Sequence, residues 1–140
     1  MRVILDTNVL LAALISPHGA PDAIYRAWRA ARFELVTSAH QLDEIRRVSR
    51  YPRLKDILPA HRVGTMVNNM QRSIVLETLP PLPGGLEVAD PSDAFLLAMA
   101  QAGESDYLVT GDRRAGLLAL GRVGRTRIMT PTAFCATLGT

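Results

Sequence analysis

The sequence predicts an α/β protein: a three-layer α/β/α sandwich built on a five-stranded parallel sheet. Two observations carry that expectation. Short apolar runs of strand length alternate with helix-compatible stretches along the whole chain. No repeat, low-complexity tract or long linker interrupts them, so residues 1–140 read as a single domain.

The first apolar run, residues 2–5, is a buried strand stopped by polar Asp6-Thr7-Asn8. Val9 to Ile15 is helix-compatible until Ser16-Pro17-His18-Gly19 breaks it. A second helix covers Ala20 to Arg32, with Ile24, Ala27 and Trp28 on one face. Phe33 to Val36 is the second strand. Thr37 or Ser38 then caps a helix that runs through Glu44 to about Ser49, and Tyr51-Pro52 ends it. Pro59-Ala60 starts another helix, which reaches about Arg72. Ser73 to Leu76 is the third strand, and the segment from Pro80 to Gly85 is a loop by composition.

A helix from Ser92 to about Ala102 carries Phe95, Leu96, Met99 and Ala100. Tyr107 to Val109 is the fourth strand, closed by Thr110-Gly111-Asp112. A short helix follows from Arg113 to about Leu120, and Arg127 to Met129 is the fifth strand. Thr130-Pro131 opens a terminal helix at a position that tolerates proline.

Composition narrows the setting. The net charge is +3 with 16 Lys and Arg, of which only Lys55 is lysine. The planar Arg fork suits phosphate, so a nucleic-acid partner is admitted without being demanded. Cys135 is the one cysteine, so no intramolecular disulfide forms, and Ala-Phe-Cys-Ala reads as core. No signal region and no run of about 18 apolar residues is visible, so the expected location is the cytoplasm, with no membrane partner.

The chemistry concentrates in four acids. In open parallel sheets, ligands bind beyond the carboxyl ends of the strands. Asp6 follows the first strand and Asp112 the fourth. Glu44 lies in the helix after the second strand. Asp93 opens the helix before the fourth, and that helix runs antiparallel to the strands, so its start lies at the same edge. Each acid has an ordinary structural explanation as well: Asp6 as a helix cap, Glu44 as a solvated partner of Arg47 or Arg50, Asp93 beside a helix dipole, Asp112 in a turn. Together they repel one another unless a cation compensates. A hard divalent ion with oxygen ligands does so, and Mg²⁺ or Mn²⁺ there can activate water and stabilise charge on a scissile phosphate. Asp90, before Pro91, reads as a turn or cap.

These residues carry a family resemblance. Val3-Ile-Leu-Asp-Thr-Asn-Val-Leu10, the helical segment Ser38 to Glu44, Asp93-Ala-Phe-Leu-Leu-Ala-Met-Ala100 and Tyr107-Leu-Val-Thr-Gly-Asp112 resemble, in order, the four motifs of the PIN-domain nucleases. Within that family they are similar to the toxins of bacterial VapBC-type toxin–antitoxin pairs. The resemblance implies a strand order 3-2-1-4-5 and endonucleolytic RNA cleavage with one or two Mg²⁺ or Mn²⁺ ions. It implies metal-binding, catalytic roles for Asp6, Glu44, Asp93 and Asp112. Asn8 and Thr110 would orient carboxylates or water from behind. It also implies a homodimer and a cognate antitoxin protein. One departure stands out: Ala94 follows Asp93 where relatives carry another acid, which leaves the number of ions open.

Arg46, Arg47 and Arg50 follow Glu44, and Arg113 and Arg114 follow Asp112; both groups are candidate RNA phosphate contacts. Aromatic residues make up 5%, too few for an extended base-stacking platform. The three histidines, His18, His40 and His61, are far apart; His40 sits one turn before Glu44, within reach of the site, and is read as non-catalytic. Other readings fare worse. A phosphotransferase with a nucleophilic Asp6 would want an acid where Asn8 stands. No P-loop, dinucleotide fingerprint or nucleophile elbow is present. A PIN-like module that binds RNA or protein without cutting is the principal alternative, and the intact four-acid set argues against it.

Overall fold

The computed structural model describes residues 1–82, 93–111 and 116–139. Its framework is one six-stranded sheet in the order β3-β2-β1-β4-β6-β5. The strands are β1 (Arg2–Leu5), β2 (Glu34–Ser38), β3 (Ile74–Leu76), β4 (Tyr107–Val109), β5 (Arg122–Val123) and β6 (Thr126–Met129). The first five strands in that order pair in parallel, and β5 pairs antiparallel with β6. The helices are α1 (Thr7–Ile15), α2 (Ala20–Arg29), α3 (Ala39–Val48), α4 (Pro52–Lys55), α5 (Ala60–Gln71), α6 (Ala94–Ala102), α7 (Leu117–Leu120) and α8 (Pro131–Leu138).

Alternation along each strand builds two hydrophobic layers. Val3, Leu5, Leu35 and Val109 face a cluster shared with α1, α2, α3, α5 and α8. Ile4, Val36, Leu108 and Ile128 face the other side, against Leu96, Leu97, Met99 and Ala100 of α6 and Leu117 of α7. The central strands β1 and β4 are therefore buried on both faces, which is why they read as unbroken apolar runs. Helix α6 is equally apolar around its circumference, with Leu96 to Ala100 all buried. Gly103 ends it close to the sheet: a Cβ there would lie 2.8 Å from Val36 Cγ1.

Three expectations need correction. The sheet has six strands, because Arg122–Val123 folds back on β6 through a two-residue hairpin with Gly124 at φ 58°. Glycine at the first turn position supplies the positive φ that such a hairpin requires. Pro52 starts the short α4 instead of only ending α3, since proline suits a first helical turn. The second strand runs to Ser38, two residues past Val36, while Phe33 packs in the core before it begins. The short helix expected from Arg113 is seen over Leu117–Leu120, and residues 112–115 lie outside the described residues.

Candidate metal centre

The register of β1 on β4 pairs Ile4 with Leu108 and Leu5 with Val109, so Asp6 comes to rest beside Thr110. The ladder runs on past the strand: Asp6 N–H donates to the Val109 carbonyl at 2.9 Å, and Thr110 N–H donates to the Met129 carbonyl at 3.0 Å. The Thr110 hydroxyl, fully buried, donates to Asp6 Oδ2 at 2.7 Å. Asp6 is 7% exposed, and its side chain makes no capping bond to α1. Its main-chain carbonyl opens that helix instead, accepting from Val9 and Leu10. A carboxylate this buried is costly unless polar partners surround its charged form. Thr110 supplies one and fixes the carboxylate's orientation.

Glu44 is positioned by a buried polar network at the start of α3. Ser38 caps the helix by accepting from Gln41 N–H at 3.1 Å, and its hydroxyl donates to Met99 Sδ of α6 at 3.3 Å. Gln41, fully buried, donates from Nε2 to the Leu5 carbonyl at 2.7 Å and accepts from the Thr37 hydroxyl at 2.7 Å. These bonds lock α3 to the end of β1, one residue before Asp6. Glu44 follows Gln41 by three residues on the same side of the helix and is half-buried.

Asp93 stands at the start of α6, is 8% exposed and makes no capping bond to that helix. The third buried aspartate, Asp22, has a structural role: it accepts from His18 N–H at 3.1 Å and pairs with Arg26 at 2.8 Å. Asn8 is exposed on the first turn of α1. Thr7 is buried, and its hydroxyl has no hydrogen-bond partner among the described residues. Asp112, Arg113, Arg114 and Asp90 lie outside the described residues.

The basic run after Glu44 divides. Arg46 and Arg50 line a groove of about 670 Å³ with Lys55, Leu58, Val63 and Val67, between α3, α4 and α5. Helical geometry puts Arg46 about 200° around α3 from Glu44. Arg46 also pairs with exposed Asp43 at 3.4 Å. Arg47 is exposed and falls on the Glu44 side of the helix by the same geometry. The residues that sequence reasoning missed are Gln41 and Thr37. The Ser38-x-x-Gln41 spacing of a capping box marks the helix start, but it predicts a reach back to the cap and not the bonds to Leu5 and Thr37.

The family model described as PIN domain matches residues 2–114 of the chain. The chain belongs to the PIN-domain family. No curated protein matches it. PIN domains are generally nucleases and typically use divalent metals. The donors here suit such an ion: Asp6, Glu44 and Asp93 offer hard carboxylate oxygens, with no thiolate or imidazole among them. Among the described residues no three His, Cys, Asp or Glu side chains form a metal-holding group on their own. Within this PIN domain, the described candidate ligands are Asp6 and Asp93, each buried, and Glu44, half-buried on α3.

Proposed function

We propose that this PIN domain is an endoribonuclease that hydrolyses RNA phosphodiester bonds with Mg²⁺ or Mn²⁺, and that it serves as the toxin of a toxin–antitoxin pair. Asp6, Glu44, Asp93 and Asp112 would hold one or two ions. When bound, such an ion supplies an activated water and neutralises charge on the scissile phosphate. Thr110 holds Asp6 through a neutral hydroxyl, which orients the carboxylate without cancelling its charge. Gln41 keeps the start of α3 against β1, so that Glu44 is presented from a fixed helix. Asn8 orients water or a carboxylate from the first turn of α1, and Arg47, Arg113 and Arg114 take RNA phosphates. Arg46 and Arg50 contribute where an RNA strand extends around α3. The expected assembly is a cytoplasmic homodimer with a cognate antitoxin.

The observation that supports this reading most is the Thr110–Asp6 bond at 2.7 Å, buried at the carboxyl end of the two central strands of a PIN domain. The test is cleavage of a mixed structured-RNA substrate by purified protein, with Mn²⁺ or Mg²⁺ against EDTA and with wild type against Asp6→Asn. Cutting that needs the metal and is lost in the variant supports the nuclease. Folded, metal-supplied wild type that cuts nothing would turn the reading toward a binding module.

A further inference from the structure

Four ring contacts occur among the described residues. Tyr25–Trp28, Phe33–Phe134 and Tyr107–Phe134 belong to the larger hydrophobic layer. The fourth lies elsewhere: the His40 imidazole sits on the Phe95 ring with centroids 4.5 Å apart and planes at 45°. His40 is the second residue of α3 and exposed; Phe95 is the second residue of α6 and half-buried against the smaller layer. His40 precedes Glu44 by one turn, and Phe95 follows Asp93 by two residues. The contact therefore joins the starts of the two helices that carry Glu44 and Asp93, two of the four candidate acids.

An exposed flat ring backed by a second ring is a surface for another flat ring. Unpaired RNA bases are recognised by stacking on His, Phe, Tyr and Trp, and every base has a π-face to offer. Phe95 behind His40 holds the imidazole in place, so little side-chain freedom is lost when a base settles on it. A strand whose phosphate lies at the acids has its bases close to this contact. Paired bases are already stacked and cannot use the ring.

We propose that His40, backed by Phe95, is the stacking platform for one unpaired nucleobase beside the scissile phosphate. This rests on the ribonuclease reading above. His40 is here a binding residue: it takes no proton in the reaction.

The test measures binding of short single-stranded oligoribonucleotides, each carrying one fluorescent adenine analogue, with Ca²⁺ in place of Mn²⁺. Wild type is compared with His40→Ala, His40→Leu and His40→Tyr. The platform predicts single-strand affinity lower by roughly 5- to 100-fold for the Ala and Leu variants. It predicts recovery in the Tyr variant, fluorophore quenching only with wild type and Tyr, and little change for duplex RNA. Single-strand affinity within about twofold of wild type for His40→Ala overturns it. So does recovery by His40→Leu equal to that by Tyr, which would make His40 a mere cover for Phe95, and so does a wild type that binds no single strand. Cleavage with Mn²⁺ is read in parallel. Wild type that cuts while His40→Ala binds and cuts unchanged loses only the platform. Wild type that binds through His40 and cuts nothing loses the nuclease and keeps the platform.

Discussion

The central strand pair carries an aspartate at each end, and the two are held differently. At the amino end Asp106 accepts from Arg2 N–H at 2.8 Å and from the Arg125 guanidinium at 2.7 Å, in a partly exposed setting. At the carboxyl end Asp6 is buried and accepts from the Thr110 hydroxyl. A guanidinium balances the charge of the carboxylate it holds, whereas a hydroxyl orients the carboxylate and leaves its charge in place. The first arrangement ties strands together. The second keeps a carboxylate oxygen in register with a strand end, where a metal ligand could use it. The same residue type thus does structural work at one end of the sheet and candidate chemical work at the other.

The largest effect that tests this contrast is on cleavage. Asp6→Asn is expected to lower metal-dependent RNA cleavage by at least about 100-fold, since losing an outer partner of a metal ligand already costs that order. Asp106→Asn should leave cleavage within about twofold. Equal losses in the two variants would erase the distinction between the ends.

Next in size is Thr110→Val, which keeps the shape and removes the donor. Cleavage should fall by about 10- to 100-fold, and Thr110→Ser should recover most of it. Failure of Ser to recover activity would mean that Thr110 acts by packing and not through its hydroxyl. Gln41→Leu would leave the buried Leu5 carbonyl and Thr37 hydroxyl without their Gln41 bonds. The expected cost is about 2 kcal/mol in urea unfolding, together with reduced cleavage as α3 loosens from β1. A stable Gln41→Leu with full activity would show that apolar packing alone positions Glu44.

The contrast also marks what local sequence can reveal. Asp6 and Asp93 were legible as candidates because each stands where an apolar run meets a polar boundary, and that boundary is a local pattern. The parallel sheet with helices on both faces followed from the alternation of elements, whereas the strand order followed from the family resemblance. Gln41 was not legible as an anchor: its key bond reaches 36 residues back to Leu5, and no local periodicity encodes a contact of that span. The role of Asp106 had no local signal for the same reason, since its partner Arg2 is 104 residues away. The hairpin strand at Arg122–Val123 is two residues long, and only the Gly124-Arg125 pair marked it. The split between Arg46 and Arg47 needed no structure, because residues two and three after Glu44 fall on different sides of a helix.

The smallest effect sharpens the comparison from the amino end. Arg2 N–H first, and the Arg125 guanidinium next, hold the Asp106 carboxyl below its ordinary value of 3.8. A carboxyl with a lowered folded pKa binds fewer protons in the native state than in the unfolded chain. Its contribution is therefore fully present above the unfolded value and is lost as pH falls through the folded one. Arg125 is 61% exposed, so solvent screens the pair and the contribution is about 1 kcal/mol or less. Asp106→Asn should accordingly cost about that much at pH 7 and lose its penalty in acid, below the ordinary carboxylate range. High salt should shrink the penalty at neutral pH, since the exposed guanidinium is within reach of counterions. Urea unfolding of both proteins at neutral and acid pH measures this. A penalty that persists unchanged in acid would mean that the hydrogen-bond geometry of Asp106, and not its charge, secures the amino end, and the two ends of the sheet would then differ less than their partners suggest.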